Sequence, residues 1–294
     1  MNTAAAQATK STADAEAFAF VQALASELSR GKVDLPSFPD IALRVRKVLA
    51  DEEVSQEQVV RIVGSEPALA ARLMQIANSA ALNFTGKPIT ELRTAINRMG
   101  HNMVRSAAIA FAMSQLKKVD SLKGLEKPLD ELWKSSAAVA AMSHAVAKRY
   151  SRVNPDTGML AGLVHGIGKL YILTRSSQHP ALFADQATYN QIVRDWHSPV
   201  AKALLENWDM AEEIVSAVSD YEDLERAHDG PVDLTDVLTV GNLLAAFKEH
   251  PESLEINMHD VAACKRMNID RASYEKLIDE SETEIDALRQ ALGV

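Results

Sequence analysis

The amino-acid sequence predicts an all-α fold, and three observations support this prediction. Aromatic residues make up only 5% of the chain while alanine is abundant, which favours helices packed through small side chains. Apolar residues recur at intervals of three and four along most of the 294 residues, as in amphipathic helices. No stretch of alternating β-branched residues is long enough to predict a sheet. We therefore expect a multi-helix bundle with an N-terminal and a C-terminal helical half.

Composition and charge narrow the possible functions. Hydrophobic residues account for 47% and charged residues for 24%, which is ordinary for a globular protein. The formal net charge of −9 argues against a general binder of nucleic acid or anionic membranes, although a local basic patch stays possible. The single cysteine, Cys264, excludes an internal disulfide and predicts a cytoplasmic protein. No apolar run reaches the roughly 20 residues that span a membrane, and residues 1–10 lack the features of a secretion signal.

The first 30 residues are expected to form a tail and a helix. Residues 1–12 are small and polar without periodicity, so we expect them to be disordered. Residues 18–28 have helical spacing, and Gly31 ends that helix. Two prolines make residues 35–39 an extended connector to a helix that begins at Asp40.

The N-terminal half of the main domain, residues 31–117, contains a series of short helices. Ser55 and Gln58 form a capping-box pattern that opens one of them. Ser65 is an N-cap for the next helix, with Pro67 in its first turn. Two further helices are predicted on either side of Gly100, over residues 90–99 and 104–116.

The C-terminal half, residues 128–250, follows an exposed linker at 117–127, and a helical tail at 251–294 follows it. Asn154-Pro155 is a proline start for a helix with several glycines. Ser198-Pro199 is expected to cap another helix. The other helices of this half are predicted over residues 128–150, 181–196, 211–224 and 234–247, the last interrupted by Gly241. In the tail, a short helix through 261–267 precedes an amphipathic helix capped by Asn268-Ile269-Asp270.

Gly158, Gly162 and Gly166 recur every four residues and are expected to line one face of a single helix. Each glycine inside a helix lowers helix stability by about 1 kcal/mol relative to alanine. Three of them therefore need an explanation in the tertiary structure. Two reasons are open: close packing of another backbone, or a chemical site. His165 and Lys169 lie four residues apart on a neighbouring face. They would be a core histidine and a surface lysine in the first case, or a metal ligand and a phosphate-binding cation in the second.

Other candidate motifs are weaker. A phosphate-binding loop at 166–169 is excluded, because Leu170 stands where a serine or threonine is needed and no strand precedes. His197 lies just outside the predicted helix start, where capping or metal ligation would explain it equally well. Trp133 and Trp208 are expected to pack between helices, and Cys264 to be a small buried hydrophobe. The histidines without metal-like spacing are expected at the surface or in loops: His101, His144, His179, His228, His250 and His259.

Several ordered motifs resemble a known family. Leu35-Pro36-Ser37-Phe38-Pro39, Glu66-Pro67-Ala68-Leu69 running into Ala77-Asn78-Ser79, and Ile89 through Met99-Gly100 look like the N-terminal half of the HDOD domain. Trp133 with Ser136, residues 161–169, and His197 followed by Leu204-Leu205 and Trp208 look like its C-terminal half. The resemblance covers roughly residues 30–250. It implies an all-helical fold whose C-terminal half is similar to the HD phosphohydrolases, and a bacterial signalling or output module.

The resemblance also implies where the metal site of an HD enzyme would lie. That site uses a histidine, an adjacent His-Asp pair and a further aspartate, and this chain departs from the pattern at each ligand. The eight positions that correspond to the site are Ser135, His165, Gly166, Lys169, His197, Tyr221, Glu222 and Asn242. Serine, glycine and tyrosine cannot replace a carboxylate and two imidazoles, so we expect no HD-type metal, no cofactor and no catalytic residue.

Three functional hypotheses follow. The leading one is a non-catalytic signalling module that binds a protein partner, with a nucleotide-like ligand in the cleft as a variant. The alternative is a metal-dependent phosphohydrolase with altered ligands, using His165, His197 and Glu222 or Asp220. The third is a homodimerisation module driven by the last amphipathic helix, whose apolar side we expect instead to pack on its own bundle. On all three, neither nucleic acid nor membrane is an expected partner.

Overall fold

The computed structural model describes residues 2–292 apart from 32, 34–39, 50, 52, 80–81, 84–85, 117–121, 177 and 250–257. These residues form 14 α-helices and no strand, so the predicted all-α fold is confirmed. The helices are α1 (Asn2–Ser29), α2 (Asp40–Leu49), α3 (Gln56–Gly64), α4 (Pro67–Ala77), α5 (Leu92–Leu116), α6 (Glu126–Tyr150), α7 (Pro155–Val164), α8 (Ile167–Ser176), α9 (Pro180–Ala184), α10 (Gln186–Asn207), α11 (Glu212–Asp220), α12 (Leu234–Glu249), α13 (Ala262–Met267) and α14 (Arg271–Leu292). None of the helices in the described ranges has a segment long and apolar enough to cross a membrane.

Helices α2 to α5 form the N-terminal part, with α5 as its longest member. The predicted capping box at the start of α3 is present: the Ser55 hydroxyl accepts from Gln58 N, and the Gln58 side chain accepts from Ser55 N. Gly100 adopts φ 70°, ψ 168° inside α5, which explains why the sequence pattern divides this segment into two helices. The prolines of the predicted 35–39 connector lie outside the described residues.

The C-terminal part is built around α6, against which α7, α12 and α14 pack. A Cβ at Gly162 would lie 2.5 Å from the Cα of Ala140, and a Cβ at Gly241 would overlap the Ser143 side chain. These two glycines therefore allow main chains to approach closely, and for Gly162 this agrees with the packing explanation. Gly241 does not interrupt α12, which runs unbroken through it, contrary to expectation.

Helix α1 lies against α9 and α10. The Glu16 carboxylate accepts hydrogen bonds from the main-chain N–H groups of Ala181 and Leu182 in the first turn of α9, at 2.9 and 3.0 Å. The predicted disorder of residues 1–12 was wrong, because α1 begins at Asn2. Phe20 and Leu24 of α1 are buried, and the helix continues towards its N-terminus through an alanine-rich segment of high helix propensity.

The last helix packs on its own bundle, as expected. Helix α14 lies along α6, and Arg149 of α6 forms an ion pair of 2.7 Å with Glu280. Asp270 accepts from Ser273 N at 2.7 Å, which confirms it as the cap of this helix. Leu277, Ile285 and Leu288 are buried on the inward side.

Candidate functional site

The glycine-rich segment does not form one continuous helix. Helix α7 ends at Val164, His165 and Gly166 form a turn, and α8 begins at Ile167. The expectation of a smooth stripe through Gly158, Gly162 and Gly166 was therefore wrong at its last member. The turn points the His165 ring back into the bundle, where it is 3% exposed.

His165 is held as a neutral imidazole. Its Nδ1 lies 2.7 Å from the Gly162 carbonyl oxygen, and because a carbonyl can only accept, Nδ1 carries the proton. Burial lowers the pKa of His165 to about 4. The ring meets the edge of the Tyr221 ring, with centroids 5.5 Å apart. His165 is thus a core histidine with a satisfied donor.

Next to His165, four side chains form what we call the Glu222 cluster: Lys169, His197, Tyr221 and Glu222. Nε2 of His197 lies 2.9 Å from Glu222 Oε2. The Tyr221 hydroxyl donates to Glu222 Oε1 at 2.7 Å, and Lys169 Nζ donates to the same oxygen at 3.0 Å. Lys169 also donates to the Tyr221 oxygen at 3.2 Å. Both carboxylate oxygens of Glu222 are therefore engaged.

The electrostatics of the cluster favour an ionised Glu222. The hydrogen bond from His197 and the charge of Lys169 outweigh desolvation, and they hold the pKa of Glu222 far below its ordinary value. Burial, together with the charge of Glu222, raises the pKa of Tyr221 well above its ordinary value. Tyr221 therefore remains a hydrogen-bond donor. The cluster is a carboxylate surrounded by three donors, one of them cationic.

Local packing positions the members of the cluster. Gly168, on α8, lies directly against the carbonyl oxygen of His197, and a Cβ there would overlap that oxygen. His197 lies inside α10, which continues through Pro199, so the predicted new helix start at Ser198-Pro199 was wrong. The Ser198 hydroxyl donates to the Ser219 carbonyl at 2.8 Å and links α10 to the end of α11. The Thr239 hydroxyl of α12 donates to the Tyr221 carbonyl at 2.9 Å.

The position on α6 that faces this site is Ser136, not Ser135. Ser135 is exposed, whereas Ser136 is fully buried. A Cβ added to Gly166 would lie 3.1 Å from Ser136 Oγ and 3.2 Å from Leu132 Cδ1. Within the described part of the chain, Ser136 Oγ has no hydrogen-bond partner. The space beside Gly166 is therefore tightly bounded by α6.

Two other candidate positions lie apart from the cluster. Asn242 is half-buried on α12, three residues after Thr239, and no hydrogen bond joins it to the cluster among the described residues. Asp220 is exposed at the end of α11. Lys169, the candidate phosphate-binding cation, is already engaged, because its ammonium group binds Glu222 and Tyr221.

The residues present do not fit an HD-type metal. An ammonium group already lies 3.0 Å from the one carboxylate of the cluster, and His197 Nε2 lies against its other oxygen. His165 directs Nδ1 at a main-chain carbonyl. Ser136 and Gly166 supply neither an imidazole nor a carboxylate.

A second polar cluster was missed by the sequence analysis. Within the described residues, His228, Asp233 and Asp236 have ligand atoms within 4.8 Å of one another. Arg226 pairs with Asp233 at 2.7 Å, and Arg266 binds Asp236 through three hydrogen bonds. The carboxylates already have cationic partners, so this cluster joins α13 to the start of α12.

Comparison with known proteins identifies the fold family. The model of the HDOD domain matches residues 35–224. The chain belongs to the HDOD family. Comparison with curated proteins gives no match.

Solved structures support the HDOD assignment. A protein from Shewanella amazonensis SB2B, provisionally named a metal-dependent phosphohydrolase, is 26% identical with a TM-score of 0.74, over 95% of this chain and 99% of that one. An HDOD domain protein of unknown function from Geobacter sulfurreducens is 22% identical with a TM-score of 0.63, over 92% and 96%. A protein from Marinobacter aquaeolei VT8, provisionally named a signal transduction protein, is 20% identical with a TM-score of 0.62, over 95% and 66%. The last two show likeness of fold alone.

Proposed function

We propose that this HDOD protein is a non-catalytic signal-transduction module that acts by binding another protein. The observation that carries the proposal is the ion pair between Lys169 and Glu222. By the resemblance to HD enzymes, Glu222 corresponds to a metal-ligand position, and here its carboxylate is bound by a protein cation instead. Without a metal, no group in the cluster lowers the pKa of a water molecule to produce a nucleophile.

The state of each side chain supports this proposal. A general base needs an atom that is free to accept a proton, and its pKa must lie near the operating pH. Glu222 has a pKa far below that range and accepts three hydrogen bonds, and Tyr221 has a pKa far above it. His165 is neutral but 3% exposed, beneath Tyr221. These properties are typical of a structural polar network.

The alternative is a metal-dependent phosphohydrolase with altered ligands. It is favoured by the name given to the 26% identical Shewanella protein. On this reading, Lys169 would move away and His165, His197 and Glu222 would become ligands. The alternative requires breaking the Glu222 cluster, and it lacks the aspartate that Gly166 replaces.

Elemental analysis of protein purified without chelators tests the proposal. We expect no stoichiometric manganese, iron, magnesium or zinc, and no hydrolysis of nucleotides or cyclic dinucleotides. A stoichiometric metal that is lost in His165→Ala would overturn the proposal. Lys169→Ala is the matched variant: it removes the competing cation and keeps every candidate ligand, so metal uptake by this variant alone would identify the lysine as the block.

The partner is expected to be a signalling protein, and a second copy of the chain is the other candidate. Leu277, Ile285 and Leu288 of α14 are buried on the side that packs against α6. The described apolar side chains of this helix are therefore not available to a homodimer. Size-exclusion chromatography with light scattering checks this point. We expect a monomer, and a dimer that disappears when α14 is removed would instead support the dimerisation hypothesis.

A further inference from the structure

A groove open to solvent lies between the end of α10 and α11, and residues of both helices and of their connection line it. It contains a cavity of about 480 Å³, which is within the range of sites that bind small molecules or side chains of a partner. Its floor includes Met210 and Val215, both less than one-tenth exposed. The groove is therefore a concave surface with an apolar base.

The rim of this groove is acidic. Glu206, Asp209, Glu212 and Asp220 line it and are exposed, and Lys202 is the one basic residue of the lining. Elsewhere in the described residues, exposed acidic groups such as Glu57 and Glu275 form ion pairs with arginine. None of the four rim carboxylates has an ion pair with a basic group in the described part of the chain. Their carboxylates are therefore exposed to solvent and not paired with a neighbouring cation.

The groove lies in the most acidic part of the sequence. Residues 186–249, which form α10 to α12 and their connections, contain 13 acidic residues and four basic ones. This difference equals the net charge of −9 of the entire chain, so the remainder is neutral on balance. A field of one sign concentrated at a concave surface attracts ligands of the opposite sign and accelerates their association.

We propose that this acidic groove docks a basic peptide segment of a partner protein, with lysine or arginine side chains at the rim and an apolar side chain on the floor. The inference rests on the proposed function, since it names the surface through which a non-catalytic module would bind its partner. Charge complementarity favours a cationic segment, and the Met210–Val215 floor favours a peptide over a simple polyamine, which has no apolar side chain.

The position of the groove relates it to the Glu222 cluster. Ser219 and Asp220 line the groove at the end of α11, and Tyr221 and Glu222 follow directly. The Ser198–Ser219 hydrogen bond ties the same end of α11 to the turn of α10 that carries His197. A peptide in the groove would therefore contact the helix whose C-terminal end leads directly into Tyr221 and Glu222.

Fluorescence anisotropy on the full chain tests the proposal. The probe is a labelled peptide that contains lysine and leucine, and the comparison peptide has every lysine replaced by glutamine. We expect the lysine peptide alone to bind, and its affinity to fall as salt is added. The variant Glu206→Gln/Asp220→Asn should bind it about tenfold more weakly. Neither substitution removes a hydrogen bond found in the structure, and Asp220 is at a helix C-terminus, where a negative charge is unfavourable.

The matched control is Asp279→Asn/Glu282→Gln on α14, which changes the net charge equally at exposed positions away from the groove. Its affinity should stay at the wild-type value. Equal weakening in both double variants would overturn the proposal, because binding would then follow net charge alone. Equal binding of spermine would also overturn it in favour of a polyamine site. No binding by the wild type would overturn the docking surface while leaving the metal test of the proposed function unaffected.

Discussion

The main-chain carbonyl of His197 lies directly over Gly168, with no space for a side chain on residue 168. This contact brings α8 and α10 together at the level of the Glu222 cluster. The residue after Gly168 is Lys169, whose ammonium group reaches Glu222. The glycine therefore sets the distance across which the cluster forms, and its role is spatial.

Gly168→Ala should destabilise the protein by about 3 kcal/mol, because the helices must separate to admit the methyl group. The measurement is the free energy of unfolding in urea. Gly64→Ala is the matched control: its Cβ would lie 3.7 Å from Leu92 Cδ2, an ordinary contact. Gly64 is the last residue of α3, and its replacement by alanine should leave the free energy of unfolding unchanged or raise it by about 0.5 kcal/mol. Similar losses in both variants would contradict the packing argument.

Glu222→Gln should lower the free energy of unfolding by about 1–2 kcal/mol. The amide cannot accept from three donors, and Lys169 and His197 lose their charged partner. The loss is modest because the Glu222 side chain is 49% exposed and water compensates in part. Glu225→Gln, at an exposed position outside the cluster, should change stability by less than about 0.5 kcal/mol. If Glu222→Gln left the free energy of unfolding unchanged, the Glu222 cluster would not contribute to stability.

Acid should destabilise the protein through His165. Its pKa is about 4 when folded, against an ordinary value of 6.5, so the unfolded chain binds the proton more readily. The contribution of the neutral His165 ring to the free energy of unfolding is complete above pH 6.5, and it is lost as the pH falls towards 4. Between pH 8 and pH 5, protonation of His165 in the unfolded chain should lower the free energy of unfolding by about 2 kcal/mol.

Urea unfolding at both pH values isolates this effect when wild type is compared with His165→Gln. The variant should lose less stability between pH 8 and pH 5 than the wild type does. His101→Gln is the control, since His101 is exposed and should leave the difference unchanged. An unaltered pH dependence in His165→Gln would mean that the ring is not held neutral in the folded state.

Asp236→Asn should lower the free energy of unfolding by about 3 kcal/mol. Its side chain is 1% exposed and pairs with Arg266. Although burial opposes ionisation, hydrogen bonds from Arg266 and His228 keep the pKa of Asp236 below its ordinary value. Glu275→Gln breaks an exposed ion pair with Arg271 and should cost less than about 0.5 kcal/mol. If Asp236→Asn lowered the free energy of unfolding as little as Glu275→Gln does, the ion pair would not stabilise the contact between α12 and α13.

Much of the fold could be predicted because it depends on local signals. Ser55, Asn154 and Asp270 all cap helices as their sequence contexts indicate. The close packing of Gly162 against the main chain of α6 is one of the two explanations that the sequence offered for a glycine inside a helix. Pro199 shows the limit of such signals: it marks a helix start in the sequence, yet tertiary packing carries α10 through it.

The candidate site could be predicted only in part. Five of the eight positions, His165, Lys169, His197, Tyr221 and Glu222, do converge, and the resemblance to HDOD proteins indicated them. The pairing of Lys169 with Glu222 joins residues 53 apart, and no local pattern encodes it. The same holds for Asp236 and Arg266, 30 residues apart. The concentration of acidic residues at 186–249, by contrast, was visible by counting.

The space around Gly166 limits how this chain can evolve. An aspartate there would meet Ser136 and Leu132 on α6 at its first side-chain atom. A side chain at this position therefore requires Ser136 or Leu132 to shift by a few tenths of an ångström. The effect of an aspartate at residue 166 therefore depends on the side chains that α6 presents at residues 132 and 136, and substitutions at these three positions are coupled.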